Sequence, residues 1–155
     1  MKVFFRILFF FLFFTISCKG EIPSFQESHQ NLVSNLLAAN ETLMEELLKD
    51  DPKPNWDDLA KAVAPLANSD HPQLKEWGMG IQSKIPKQNL DLEQSFEPLS
   101  EIEIILNEMR KLVPNQSDYY QFYCPMVEKY WVMKGRTVKN PYAPEMRDCG
   151  DLILQ

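Results

Sequence analysis

Histidine is scarce in this chain of 155 residues, which has two of them beside three cysteines and five glycines. The shortage excludes chemistry that needs several imidazoles. Missing as well are a C-x-x-C pair for thiol exchange, an H-E-x-x-H zinc helix, a glycine-rich phosphate loop and a G-x-S-x-G elbow. No carboxylate pair stands in an obviously apolar setting, so the chain reads as a binding protein and not as an enzyme. Positive charge is also in deficit, with 16 Lys and Arg against 22 Asp and Glu and a net charge of −6. Phosphate backbones are bound by clustered Lys and Arg, so nucleic acid is excluded as a partner.

Phenylalanine looks abundant, but seven of the ten stand between Phe4 and Phe14. There Lys2 and Arg6 precede the unbroken apolar run Ile7 to Phe14. A bilayer core takes roughly 20 apolar residues, so this run is too short to span it and reads as a secretion leader over residues 1–17. Ser17 stands before Cys18, and Lys19-Gly20-Glu21 turns polar at once. That arrangement resembles the bacterial lipobox, in which the cysteine is acylated and becomes the new N-terminus; Thr15 stands where that motif usually has Leu. The expectation is an exported lipoprotein, periplasmic or at the cell surface, held on the bilayer through Cys18 and a tether over residues 18–24. Several acyl chains on one residue anchor stably where a single chain does not. Lys2 and Arg6 leave with the leader, so 14 basic side chains face 22 acidic ones in the remainder. That balance offers no polybasic patch to help the lipid.

A single domain is expected over residues 25–153. Phe25, His29, Leu32, Leu36, Leu43 and Leu47 recur at helical spacing, and Asp50-Asp51-Pro52-Lys53-Pro54 should end that helix. Asn55 is placed to cap a second helix carrying Leu59, Val63 and Leu66, with Asp57 and Asp58 favoured in its first turn and Pro65 ending or bending it. Ser69-Asp70-His71-Pro72 starts a third, weakened by Gly78 and Gly80 and closed by Pro86. The widest apolar face runs from Leu90 to Val113, with a break or bend expected near Glu97 because of Pro98. These patterns predict an all-α fold, roughly a four-helix bundle.

From Asp118 the composition changes. Tyr119, Tyr120, Phe122, Tyr123, Tyr130, Trp131 and Tyr142 crowd a stretch punctuated by Pro and Gly, which reads as an irregular segment of loops with at most one short hairpin. Two short sulfur pairs fall here, Cys124-x-Met126 and Met146-x-x-Cys149. Thiolates and thioethers are soft ligands that select Cu(I) over hard cations, and Pro125 would stiffen the C-x-M turn. In an exported protein, Cys124 and Cys149 also read as a disulfide closing a loop of roughly 25 residues, worth about 3–4 kcal/mol. Met126 and Met146 would then be core filler. Both readings stay open on spacing alone. His29, on an apolar stripe, reads as a core or edge residue, and His71, before a proline, as a surface residue.

Tyr123-Cys124-Pro125-Met126, then Trp131, Asn140-Pro141-Tyr142, Met146 and Cys149-Gly150 stand in an order that resembles an uncharacterised bacterial domain family. Its members carry a CPM, W, NPY, M-x-x-CG signature over their last part, here residues 118–150. That domain occurs alone in exported proteins and attached to periplasmic adaptors of Cus-type heavy-metal efflux systems. Ser95-Phe96-Glu97-Pro98-Leu99-Ser100 is similar to the start of the family's long helix. The chain departs from the family in its short Val127–Tyr130 connection and in Ala143-Pro144 after the NPY. The resemblance implies copper handling beside metal-efflux components, with Cys124, Met126, Met146 and Cys149 as metal ligands. Trp131, Asn140, Pro141 and Tyr142 would hold the loop, a turn with an aromatic plug.

Overall fold

A computed structural model describes residues 23–87 and 90–153. The expected leader and Cys18 lie outside the described residues. Four helices come first: α1 (Glu27–Leu47), α2 (Asp57–Ala67), α3 (Pro72–Lys84) and α4 (Leu92–Leu112). Three strands follow, β1 (Tyr119–Cys124), β2 (Lys129–Lys134) and β3 (Asp151–Leu152), with a 3-10 turn at Pro144–Met146 before the last. The all-α expectation is therefore corrected to a helix-rich α+β fold, because the C-terminal segment forms an antiparallel sheet of order β2-β1-β3. No helix among the described residues is long and apolar enough to cross a membrane.

Each helix starts where side chains satisfy its free amides. The Gln26 amide donates to Nδ1 of His29 at 3.2 Å. Asn55 Oδ1 accepts from the Asp57 amide at 2.9 Å, and Asp91 Oδ1 accepts from the Gln94 amide at 2.8 Å. His71 caps α3 through Nδ1, which accepts from Leu74, while Pro72 occupies the first turn, where no donor is needed. Two prolines fail to interrupt their helices. Pro65 lies near the end of α2, whose last residues Leu66 and Ala67 are buried, and α4 is one helix through Pro98, so of the break or bend expected near Glu97 the break does not occur. Buried Leu99, Ile102, Leu106 and Met109 hold α4 past the missing donor. Gly78, a weak helix former, serves the packing instead: a Cβ there would lie 2.3 Å from the Ala67 nitrogen, so only glycine lets α3 approach α2 this closely.

The sheet is fastened to the helices by polar side chains. In β2 the backbone groups of alternate residues point away from β1, and on an edge strand they would otherwise lie unpaired. Ser100 Oγ accepts from the Tyr130 amide at 3.0 Å, and Glu103 Oε2 accepts from the Val132 amide at 2.7 Å. Asn40 Nδ2 donates to the Val132 carbonyl at 3.1 Å, and Glu41 Oε2 accepts from the Lys134 amide at 2.9 Å. Tyr142 Oη donates to the Tyr130 carbonyl at 2.9 Å. Side chains of α1 and α4 thus stand in for a fourth strand.

Glu103 is wholly buried, and Asn40 Nδ2 also reaches its Oε2 at 3.3 Å. Glu103 Oε1 and Asn40 Oδ1 lack a hydrogen-bond partner. Burial pushes the Glu103 carboxyl well above the ordinary carboxylate range; the Val132 and Asn40 donors only partly oppose this, and nearby Glu41 adds to it. A neutral Glu103 would carry an O–H on Oε1 while Oε2 goes on accepting from Val132 and Asn40. A folded-state pKa above the unfolded value means that the native state binds more protons, so stability falls as pH rises above the ordinary Glu range. Glu103→Gln keeps a donor and removes the titration. Denaturation followed from pH 5 to 9 should show the variant losing less stability with pH than the parent, by about 1 kcal/mol or more. Equal slopes would mean that Glu103 titrates alike in both states.

Candidate thiol site

The site sits where β1 ends. Phe122 pairs with Leu152 and Tyr123 with Asp151 across the antiparallel β1–β3 ladder. Continued in register, that ladder carries the chain before β3 alongside Cys124, so Cys149 arrives beside it. The Cys149 thiol hydrogen-bonds the Cys124 sulfur, and both are free cysteines. Cys124 is wholly buried, whereas Cys149 is only half-buried.

The turn after Cys124 folds back on its sulfur. Pro125 to Glu128 connects β1 to β2, with Glu128 at φ 52 closing the hairpin. This geometry turns the main-chain amides of Met126 and Val127 toward Cys124, and both hydrogen-bond its sulfur. Asn140 adds a side-chain hydrogen bond to the same sulfur. Its Nδ2 also donates to the Cys149 carbonyl at 2.9 Å, and its Oδ1 accepts from the Tyr142 amide at 2.9 Å. The Asn140 amide donates to the Arg147 carbonyl at 2.7 Å, while Arg147 Nη1 returns to the Asn140 and Pro141 carbonyls at 2.9 and 3.2 Å. One buried asparagine thereby ties both cysteine segments together.

Aromatic packing fixes the floor. Trp131 and Phe122, both fully buried, stack at 5.5 Å, and Tyr142 meets Trp131 edge-on at 6.1 Å. Phe96 of α4 meets Tyr142 at 5.2 Å. Gly150 lies at φ +147, and a Cβ there would come 2.5 Å from Cη2 of Trp131. Any other residue would be strained and would push the Cys149 segment off the tryptophan.

The two sulfurs are not equivalent. Burial alone would push Cys124 upward, but the hydrogen bonds from Cys149, Val127, Met126 and Asn140 outweigh it and bring it below the ordinary thiol range. Cys149 is pushed up to about 11, chiefly because its S–H is given to Cys124, with burial and the negative charges of Cys124, Asp148 and Asp151 adding to it. Both shifts come from one shared contact, in which the Cys149 thiol hydrogen-bonds the Cys124 sulfur.

Of the four sulfur residues, the structure brings Cys124 and Cys149 together. Met126 contributes its main-chain amide to the Cys124 sulfur, while the residue is 68% exposed. Met146 is half-buried in the 3-10 turn, and its carbonyl accepts from the Cys149 amide at 3.0 Å. The histidines are occupied elsewhere. His29 Nε2 meets Asp70 at 3.1 Å while its Nδ1 caps α1. His71, expected on the surface, is buried: Phe25 stacks on its ring at 4.4 Å, and Nε2 donates to the Pro23 carbonyl at 2.8 Å. Among the described residues no three or more His, Cys, Asp or Glu side chains gather as a metal-binding group. Compared with known proteins, the chain gives no significant match to a protein-family model, a curated protein or a solved structure.

Asn140 was read from sequence only as a turn residue; its bond to sulfur was missed, although its place in the Asn-Pro-Tyr motif was a signal. Asn140→Ala removes partners from the Tyr142 amide and the Cys149 carbonyl. The expected cost is about 1–3 kcal/mol in denaturant melts, with a higher Cys124 pKa read from thiolate absorbance. An unchanged thiolate titration would show that the asparagine does not act on sulfur.

Proposed function

We propose that this chain is an exported, lipid-anchored accessory protein that binds Cu(I) or a related soft cation through Cys124 and Cys149. It would hold the ion, or pass it to metal-efflux components, outside the cytoplasm. The observation that carries the reading is the contact between two free thiols, one of them buried under amide donors. Soft d10 ions favour thiolate ligands, and a two-sulfur site suits an ion content with few ligands. Such an ion would take the place of the thiol proton in the hydrogen bond between the sulfurs. Met126 and Met146, in the turns flanking the cysteines, are the further sulfur donors available. The lipid anchor rests on Lys2, Arg6, the apolar run after them and Ser17 before Cys18, and the efflux link rests on the resemblance of residues 118–150.

A second reading has the same observation behind it, since two sulfurs in contact can equally join as a disulfide that clamps an interaction domain without metal. Cu(I) titration of the reduced protein against a competing chromogenic chelator separates the two. One ion bound per chain, with both thiols protected, is the expected result, and Cys124→Ser with Cys149→Ser should abolish it. Binding should tighten by roughly 10- to 100-fold per pH unit near neutrality, because the ion displaces one or two protons. No uptake by a protein whose thiols are already oxidised as exported would establish the clamp instead.

A further inference from the structure

The two sulfurs differ in access and in surroundings. Cys124 is wholly buried, and its sulfur faces the amides of Met126 and Val127 and the side chain of Asn140. Cys149 is reachable from solvent, on a segment running over Trp131 toward β3. The geometry points to a directional thiol–disulfide exchange site, in which a dithiol reductant attacks the joined pair at Cys149 and Cys124 is the sulfur that leaves. This activity goes beyond metal binding and needs no metal.

In the oxidised pair, an incoming thiolate forms a new S–S bond to Cys149 Sγ. The Cys124–Cys149 bond breaks, and its electron pair goes to Cys124 Sγ, where the surrounding N–H groups stabilise the charge. The reductant's second thiolate then attacks its own sulfur in the mixed disulfide. The reductant departs as a disulfide, Cys149 is released, and the two protons of the reductant end on the protein pair. With a monothiol, a second molecule performs that last attack. Run backwards, the same mixed disulfide at Cys149 oxidises the pair at the expense of an incoming disulfide. Attack on Cys124 is disfavoured, because that residue exposes no surface to an incoming thiolate.

The full-length protein, with a metal chelator present throughout, is oxidised with diamide and then reduced with glutathione. Samples are quenched in acid at intervals, and glutathione is located by peptide mass spectrometry. An intramolecular Cys124–Cys149 disulfide should form first, and glutathione should then appear on Cys149 in at least about tenfold excess over Cys124. Failure to form that disulfide, or glutathione on Cys124 in equal or greater amount, overturns the proposal. The chelator separates this outcome from the Cu(I) titration: a protein that takes no copper but is tagged at Cys149 keeps the exchange site and loses only the metal reading.

Discussion

Both polar groups of the Val132 peptide plane edge are held by buried side chains, the amide by Glu103 of α4 and the carbonyl by Asn40 of α1. These two helices are far apart in sequence, and their meeting at one residue of an edge strand sets the position of the sheet against the helical layer. The arrangement is costly to leave half made, because a buried unpaired amide or carboxyl loses its hydration with nothing in return, about 1–3 kcal/mol per group. It is also specific: sliding β2 by one residue would turn its outward donors and acceptors away from Ser100, Glu103, Asn40 and Glu41. The clamp therefore fixes register as well as position, and it blunts an edge that would otherwise invite another strand.

Everything at the thiol site follows from that register. With β2 fixed, Trp131 lies opposite Phe122 and stacks on it. The indole then provides the surface against which Tyr142 packs and over which Gly150 passes. Tyr142 ties the layer back to the clamp through its hydroxyl on the Tyr130 carbonyl. Its own ionisation is suppressed first by burial and then by Glu103 and Glu97 nearby, so the hydroxyl remains a donor. Asn140, two residues earlier, reaches both cysteine segments. The motif Cys-Pro-Met, Trp, Asn-Pro-Tyr, Cys-Gly is thus one assembly: a tryptophan floor, a tyrosine strut, an asparagine link and a glycine that permits the approach.

The helices were legible because each carries its core face at a spacing that only a helix satisfies, and each starts at a residue able to cap it. The sheet was not legible for the converse reason. In β1 and β2 consecutive residues are buried or half-buried with little alternation, and Tyr-Tyr-Gln-Phe-Tyr-Cys and Lys-Tyr-Trp-Val-Met-Lys likewise show no alternation of apolar and polar residues. Their aromatic content is the available signal, and with proline and glycine close by it supports loops with one short hairpin, which β1 and β2 form, but not the third strand. Pro98 does not break α4, because the buried residues beyond it carry the helix past the missing donor. The cysteine pair was visible as a pair. That Cys124 would be the buried, amide-bound partner was not, since the amides belong to a turn whose geometry depends on the hairpin. His71 shows the same gap, because its burial comes from contacts with Phe25 and Pro23 that the local sequence does not announce.

The division of labour between the sulfurs bears on how a thiol pair survives outside the cytoplasm. Oxidants and disulfides react with a sulfur that is both ionised and reachable. Here the sulfur whose ionisation is favoured by hydrogen bonds, Cys124, belongs to a buried residue, while half-buried Cys149 holds its proton more tightly, chiefly through its hydrogen bond to Cys124 and partly because Asp148 and Asp151 stand near it. Neither sulfur combines both conditions fully, an arrangement that disfavours oxidation of the dithiol. Once a disulfide has formed, the balance reverses: attack comes at the reachable sulfur, and the amides around Cys124 favour its departure. Stabilising the leaving thiolate also shifts the equilibrium toward the dithiol. An asymmetry of this kind favours the dithiol, which is the form that the proposed soft-cation binding requires. The same donors that hold Cys124 therefore bear on both proposals: they favour its departure in thiol exchange, and they favour the thiolate that a soft cation would bind.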